Sequence, residues 1–196
     1  MKIKRYSLLA ATIIGVASLS PTSAQQADPT KVVDALNKVF GQHKARASGA
    51  KGQCVAGTFT PSSDARTLSK SSIFTKASPV VGRFSIGGGN PNAPDTAKAA
   101  VRGFAFKIDP EGAGTTEFVM VNAPVNFAKS LDQMFGFLEA RFPGADGKMD
   151  PEKIKAFAAA NPETTRQGAW LASKPLPASY VGVSYWGIHC YTLTNA

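Results

Sequence analysis

Two runs of alternating apolar and polar residues, Val101–Ile108 and Thr115–Val121, flank the turn signal Asp109-Pro110-Glu111-Gly112. Period-two alternation puts every second side chain on one face of a strand. A link this short forces the two strands to run antiparallel. Pro79–Ser85 alternates in the same way. The middle of the chain is therefore committed to an antiparallel sheet.

Helical signals lie on either side of it. Asp28-Pro29 is an oxygen-bearing cap followed by proline in the first turn. Val32, Val33, Leu36, Val39 and Phe40 then recur at three- and four-residue spacing up to Gly41, predicting a helix that packs across the domain. A short helix is expected over 64–70. Ser130 to Arg141 reads as an amphipathic helix with Leu131, Met134, Phe135 and Leu138 on one face, and Ser130 and Gln133 have capping-box spacing. Asp150 caps a helix over 151–160, and Asn161-Pro162-Glu163 opens another reaching Ala172. Ala178 to Asn195 reads as a long strand. About five strands and four or five helices, with antiparallel neighbours, give the α+β class.

The first 24 residues stand apart. Lys2, Lys4 and Arg5 precede the apolar run Leu8–Val16, and Pro21-Thr22-Ser23-Ala24 offers small residues for cleavage. This is the pattern of a secretory signal, with a lone membrane anchor as the alternative. The run is too short for a membrane span, so no stable span is expected after cleavage, and a periplasmic or secreted location follows. The mature domain is then 25–196. Removing Lys2, Lys4 and Arg5 leaves 19 basic against 13 acidic residues, about +6 in place of +9. The cations are scattered, with no basic block and no aromatic interleaving, so no nucleic-acid partner is expected.

Cys54 and Cys190 lie in expected strands, either paired as a disulfide or buried as small hydrophobes. No metal site is expected, because neither has close Cys or His companions. Gly87-Gly88-Gly89-Asn90-Pro91 lacks the Lys-Ser/Thr and following helix of a phosphate loop. Asp146–Asp150 is too short for a calcium loop.

Several stretches carry a family resemblance. Arg46-Ala47-Ser48-Gly49-Ala50-Lys51-Gly52 resembles the Arg-x-x-His-Ala-Lys/Arg-Gly segment on the distal haem side of catalases and catalase-related peroxidases. Val81-Gly82-Arg83-Phe84-Ser85 is similar to their V-x-R-F-S strand. Asp95-Thr96 with Arg102-Gly103-Phe104-Ala105 is similar to D-T…R-G-F-A, and Asn122-Ala123-Pro124-Val125-Asn126-Phe127 to N-x-P-V-F-F. Asn161-Pro162-Glu163-Thr164 and Gly187-Ile188-His189-Cys190-Tyr191-Thr192-Leu193-Thr194-Asn195 continue the series in order.

The resemblance implies a catalase-type antiparallel haem β-barrel with flanking helices, and a haem b cofactor with its iron. It implies peroxidase activity on hydrogen peroxide or organic peroxides, with small electron donors as co-substrates. Arg46 and Arg83 would meet the propionates, and Phe127 would pack near the haem. Ser85 would support a distal base, and Asn122 would orient peroxide, although Val121 holds the place of the family's distal Asn. Gly49 stands at the catalytic His position and has no proton to move. His43 is a surface residue after a helix end, with a substitute base as its sharper reading. His189 reads as a satisfied barrel residue. The family's axial Tyr helix, Arg-x-x-x-Tyr, has no match, and five strands are too few to close a barrel of eight. The resemblance therefore implies a truncated, impaired peroxidase with an incomplete barrel. The alternatives are a non-catalytic remnant that binds haem loosely or not at all, and a small-ligand module. The sequence sets no oligomeric state.

Overall fold

The computed structural model describes residues 28–109 and 115–190. The expected 1–24 signal, most of the expected 109–112 turn and the last residues of the expected 178–195 strand lie outside them. Strands β1 (Gly52–Phe59), β2 (Ser78–Ile86), β3 (Arg102–Ile108), β4 (Thr116–Val121) and β5 (Trp186–Gly187) form one sheet in chain order, each antiparallel to the next. The sheet is open rather than closed into a barrel. Among the described residues there are also five α-helices: α1 (Pro29–Phe40), α2 (Ala65–Leu68), α3 (Leu131–Glu139), α4 (Pro151–Ala160) and α5 (Arg166–Ala172).

The helices start where local hydrogen bonding dictates. Asp28 accepts from the Lys31 N–H at 2.9 Å, and Asp150 from the Glu152 N–H at 2.9 Å. Ser130 Oγ accepts from the Gln133 N–H at 3.1 Å, while Gln133 Oε1 reaches back to the Lys129 N–H at 2.9 Å. The return bond thus falls one residue before the cap. Val32, Ala35 and Leu36 of α1 pack with Leu138 of α3, joined by Leu131, Met134 and Phe135. Val33 departs from the expected stripe and is 46% exposed, because α1 buries only the arc that meets α3.

Residues 161–165 also differ. A 3-10 turn, Pro162–Thr165, precedes α5, and the Asn161 side chain is spent elsewhere. Its Oδ1 accepts from Gln133 Nε2 at 3.0 Å, and its Nδ2 donates to the Phe157 carbonyl at 3.1 Å. Glu163 accepts from Lys129 Nζ at 2.7 Å and from Gln133 Nε2 at 2.8 Å. First Lys129 and then Gln133 hold the Glu163 carboxyl down at about 2, against 4.5 ordinarily. This contribution to stability is fully present above pH 4.5 and is lost as pH falls towards 2. Glu163→Gln should therefore flatten the acid limb of a circular-dichroism unfolding profile in that window. An unchanged limb would show that the contact is idle.

The expected strand over 178–195 shrinks to Trp186–Gly187 among the described residues. The tyrosines explain the difference. Tyr180 donates to Asp95 Oδ1 at 2.8 Å, and Tyr185 to the Tyr180 carbonyl at 2.8 Å, which ties the segment into a loop. Both rings rest on the phenylalanine face of the sheet, where Phe84 stacks on Phe104 with ring centroids 4.3 Å apart. Burial first, then Asp95, pushes the Tyr180 hydroxyl up to about 12. Cys54 and Cys190 are neither paired nor buried; both thiols are free and exposed. Strand β1 is an edge with little covering it, so alternation alone does not bury Cys54.

Candidate functional site

Register sorts the sheet into two faces. Phe84, Phe104, Phe106 and Phe118 share one; Cys54, Arg83, Ser85, Gly103, Ala105 and Val119 share the other. On this second face, small residues leave room. A Cβ on Gly103 would lie 2.9 Å from Ser85 Oγ, so only glycine lets that hydroxyl lie across β3.

The loop before β1 is fastened to this face by Arg83. Its Nη1 donates to the Gly49 carbonyl at 2.8 Å and its Nη2 to the Ala50 carbonyl at 3.2 Å. The Ala50 N–H reaches the Gly88 carbonyl at 3.2 Å, and the Ile86 N–H reaches the Lys51 carbonyl at 3.1 Å. Gly49 adopts φ +62°, a left-handed conformation that glycine takes without strain. A Cβ there would stand 3.4 Å from Ser85 Oγ and 3.8 Å from Arg83 Nη1. The site expected to hold a base therefore points at the residue expected to support one.

A cavity of about 1050 Å³ opens in front of these groups. Arg46, Gly49, Arg83, Ser85 and Phe127 all line it. Asn122 does not. It is 6% exposed and belongs to the backbone frame, its Oδ1 accepting from the Arg102 N–H at 2.8 Å. Its own N–H donates to the Arg102 carbonyl at 2.9 Å. Val121, one residue earlier, does line the cavity. His43 turns its Nε2 to the Phe40 carbonyl at 2.9 Å, at the end of α1, and is not part of the lining.

Sequence reasoning missed three groups. Arg102 is 2% exposed, and its guanidinium donates to the carbonyls of Asp95, Ala97 and Ala100 at 2.9, 3.3 and 3.1 Å. Asp95 joins Lys51 Nζ at 2.8 Å to Tyr180, and first Lys51, then Tyr180, hold its carboxyl below the usual range. Arg141, at the end of α3, lines the cavity. The position of Arg102 at a strand start within R-G-F-A is a sequence signal for the first; the other two depend on tertiary placement. A second concavity, of about 1110 Å³, lies between α3 and α4. Lys38, Lys148 and Lys153 line it together with Glu139, Asp146 and Asp150.

The catalase family model matches residues 36–196. The chain belongs to the catalase family. It is 38% identical over 185 residues to the catalase-related peroxidase of Synechococcus elongatus, covering 93% of this chain and 54% of that protein. It is 30% identical over 166 residues to that of Mycolicibacterium paratuberculosis, covering 83% and 52%. The chain thus spans about half the length of these relatives. Among solved structures, a fungal catalase superposes with a TM-score of 0.63 at 26% identity, over 74% of this chain and 30% of that one. Catalase A from Saccharomyces cerevisiae gives 0.62 at 26% identity, over 72% and 30%. The open sheet and its flanking helices are therefore a catalase-family fold.

The cavity fits a haem in size, polarity and charge. Its volume is at the upper end for small-molecule sites. Gly103, Ala105 and Val119 give a low-relief sheet wall, and Arg46 and Arg83 place cations beside it. Arg83 spends one donor on each of two carbonyls and keeps others of its five. Among the described residues, no tyrosine or histidine lines the cavity.

Proposed function

We propose that the chain forms the distal side of a haem-dependent peroxidase site acting on hydrogen peroxide or small organic peroxides in a periplasmic or secreted setting. The observation that carries the reading is the convergence of Gly49, Ser85, Arg83, Arg46 and Phe127 on one cavity in a catalase-family chain. Haem would supply the redox iron at which the O–O bond breaks. The reaction balances as ROOH plus two protons and two electrons giving ROH and water, the electrons coming from small donors.

The chain's residues divide the remaining work. Arg46 and Arg83 would hold the propionates, and Arg83 also fixes the Gly49 loop against β2. Ser85 offers a hydroxyl that donates to or accepts from a bound peroxide. Phe127 and its aromatic neighbours exclude water. The step left without a residue is proton transfer between the two peroxide oxygens, because Gly49 has no side chain. Solvent must carry that proton, so turnover is slow.

Hemin titration of the full chain, followed by peroxide and a dye donor, tests this reading. The expected result is a saturable Soret change, weakened by Arg83→Ala, with slow peroxide-dependent dye oxidation. A broad absorption that never saturates, with no dye oxidation, would instead support the second reading, a non-catalytic remnant, which Gly49 favours.

A further inference from the structure

The charges around the cavity are unbalanced. Arg46, Arg83, Lys107 and Arg141 line it with a single carboxylate, Glu117, and Glu117 is already paired with Lys107. Arg46 and Arg83 have a role on the loop side. Arg141 has none there, since it stands in the turn just after α3, on a different wall. Its guanidinium carbon lies 3.4 Å from the centroid of the Phe137 ring, and its Nη1 donates to the Phe137 carbonyl at 2.7 Å. Stacking fixes the guanidinium plane and leaves further N–H groups undirected. Among the described residues, no carboxylate lies within ion-pair distance of it.

The surroundings of Arg141 are apolar. Phe137 packs against Phe127 at 4.8 Å and against Phe157 at 6.2 Å, and all three rings line the cavity. Met134, Leu138 and Leu171 continue that wall. Arg141 is half-buried, and this partial burial draws the guanidinium pKa downward. A cation stacked in an aromatic wall, without a counter-ion, suits a ligand that is apolar along its length and anionic at one end.

We propose that Arg141 is the recognition group for the carboxylate of an amphipathic hydroperoxide whose apolar chain lies along the Phe127–Phe137–Phe157 wall. This names the substrate class of the same site and rests on the peroxidase reading above. The bland alternative is that Arg141 only satisfies the end of α3, where a cation also meets the helix dipole. That role would affect stability and would not distinguish an acid from its ester.

The test uses the full chain without hemin, and cis-parinaric acid as a fluorescent probe at a pH where it is ionised. Oleic acid should displace the probe, and methyl oleate should do so roughly tenfold less well or worse. Arg141→Gln should weaken probe binding by a similar factor, and Arg141→Lys should restore most of it. Equal displacement by acid and ester would overturn the proposal, as would full probe binding by a folded Arg141→Gln. If Arg141→Gln fails to fold, the acid–ester comparison on the wild-type chain decides alone. Hemin absorbance is read in parallel. Failure to bind hemin removes the peroxidase reading, whereas failure to discriminate acid from ester removes only the role given to Arg141.

Discussion

Gly49→His is expected to raise peroxide turnover by the hemin-loaded chain about 10²- to 10⁴-fold, the usual contribution of a positioned general acid–base. Backbone geometry permits the change. A Cβ at this position would meet Ser85 Oγ at 3.4 Å, Ser85 Cβ at 3.5 Å and Arg83 Nη1 at 3.8 Å, all ordinary van der Waals separations. The cost lies in the conformation, φ +62°, which disfavours a side chain by roughly 1–2 kcal/mol, although histidine tolerates it better than most residues. An imidazole leaving this Cβ starts beside the Ser85 hydroxyl, which orients whichever ring nitrogen it meets. The gain should follow the neutral imidazole and so rise with pH through about 6.5. Gly49→Ala is the control, since it carries the same backbone cost and no proton carrier. If alanine raises turnover as much as histidine, or if neither does, Gly49 is not the place where the missing base belongs.

Much of the frame is legible in the sequence because its causes are local. Asp28, Ser130 and Asp150 start helices through hydrogen bonds spanning two or three residues, and Asp-Pro or Ser-x-x-Gln spacing reports them directly. The hairpin partners β3 and β4 show their alternation for the same reason. The final segment reads as a strand by residue type, yet Tyr180 and Tyr185 find partners at Asp95 and at a backbone carbonyl. Tertiary hydrogen bonds there override β propensity. Exposure of Cys54 has a similar origin: period two assigns a face, but only the layers packed elsewhere decide whether that face is covered. Arg141 reads as a basic residue near a helix end, and nothing within α3 announces the cavity beside it. Arg46, Gly49, Arg83, Ser85 and Phe127, spread along the chain, line one cavity, whereas the Asn122 side chain accepts from the backbone N–H of Arg102 at the start of β3.

Gly52→Ala should be the most damaging single-methyl change in the site, costing about 3 kcal/mol and abolishing saturable hemin binding. A Cβ on Gly52 would lie too close to the Phe84 carbonyl oxygen, and at 2.5 and 2.6 Å from Cζ and Nη2 of Arg83. These two collisions have different remedies. The guanidinium is the end of a flexible side chain and could swing away, at the expense of its bonds to the Gly49 and Ala50 carbonyls. The Phe84 carbonyl cannot, because it belongs to β2, whose Ser85 is directly opposite Gly52 in the register. Relief there means splaying the first pair of β1 and β2, which carries the Gly49 loop away from Ser85. A double-mutant cycle with Arg83→Ala separates the two. If the guanidinium collision dominates, Gly52→Ala costs little more once Arg83 is gone, and thermal melts of the double variant and of Arg83→Ala coincide. If the carbonyl dominates, as the closeness of that contact argues, the double variant melts well below Arg83→Ala. The Gly52 position is then set by strand pairing itself, and the Arg83 clamp is built upon it.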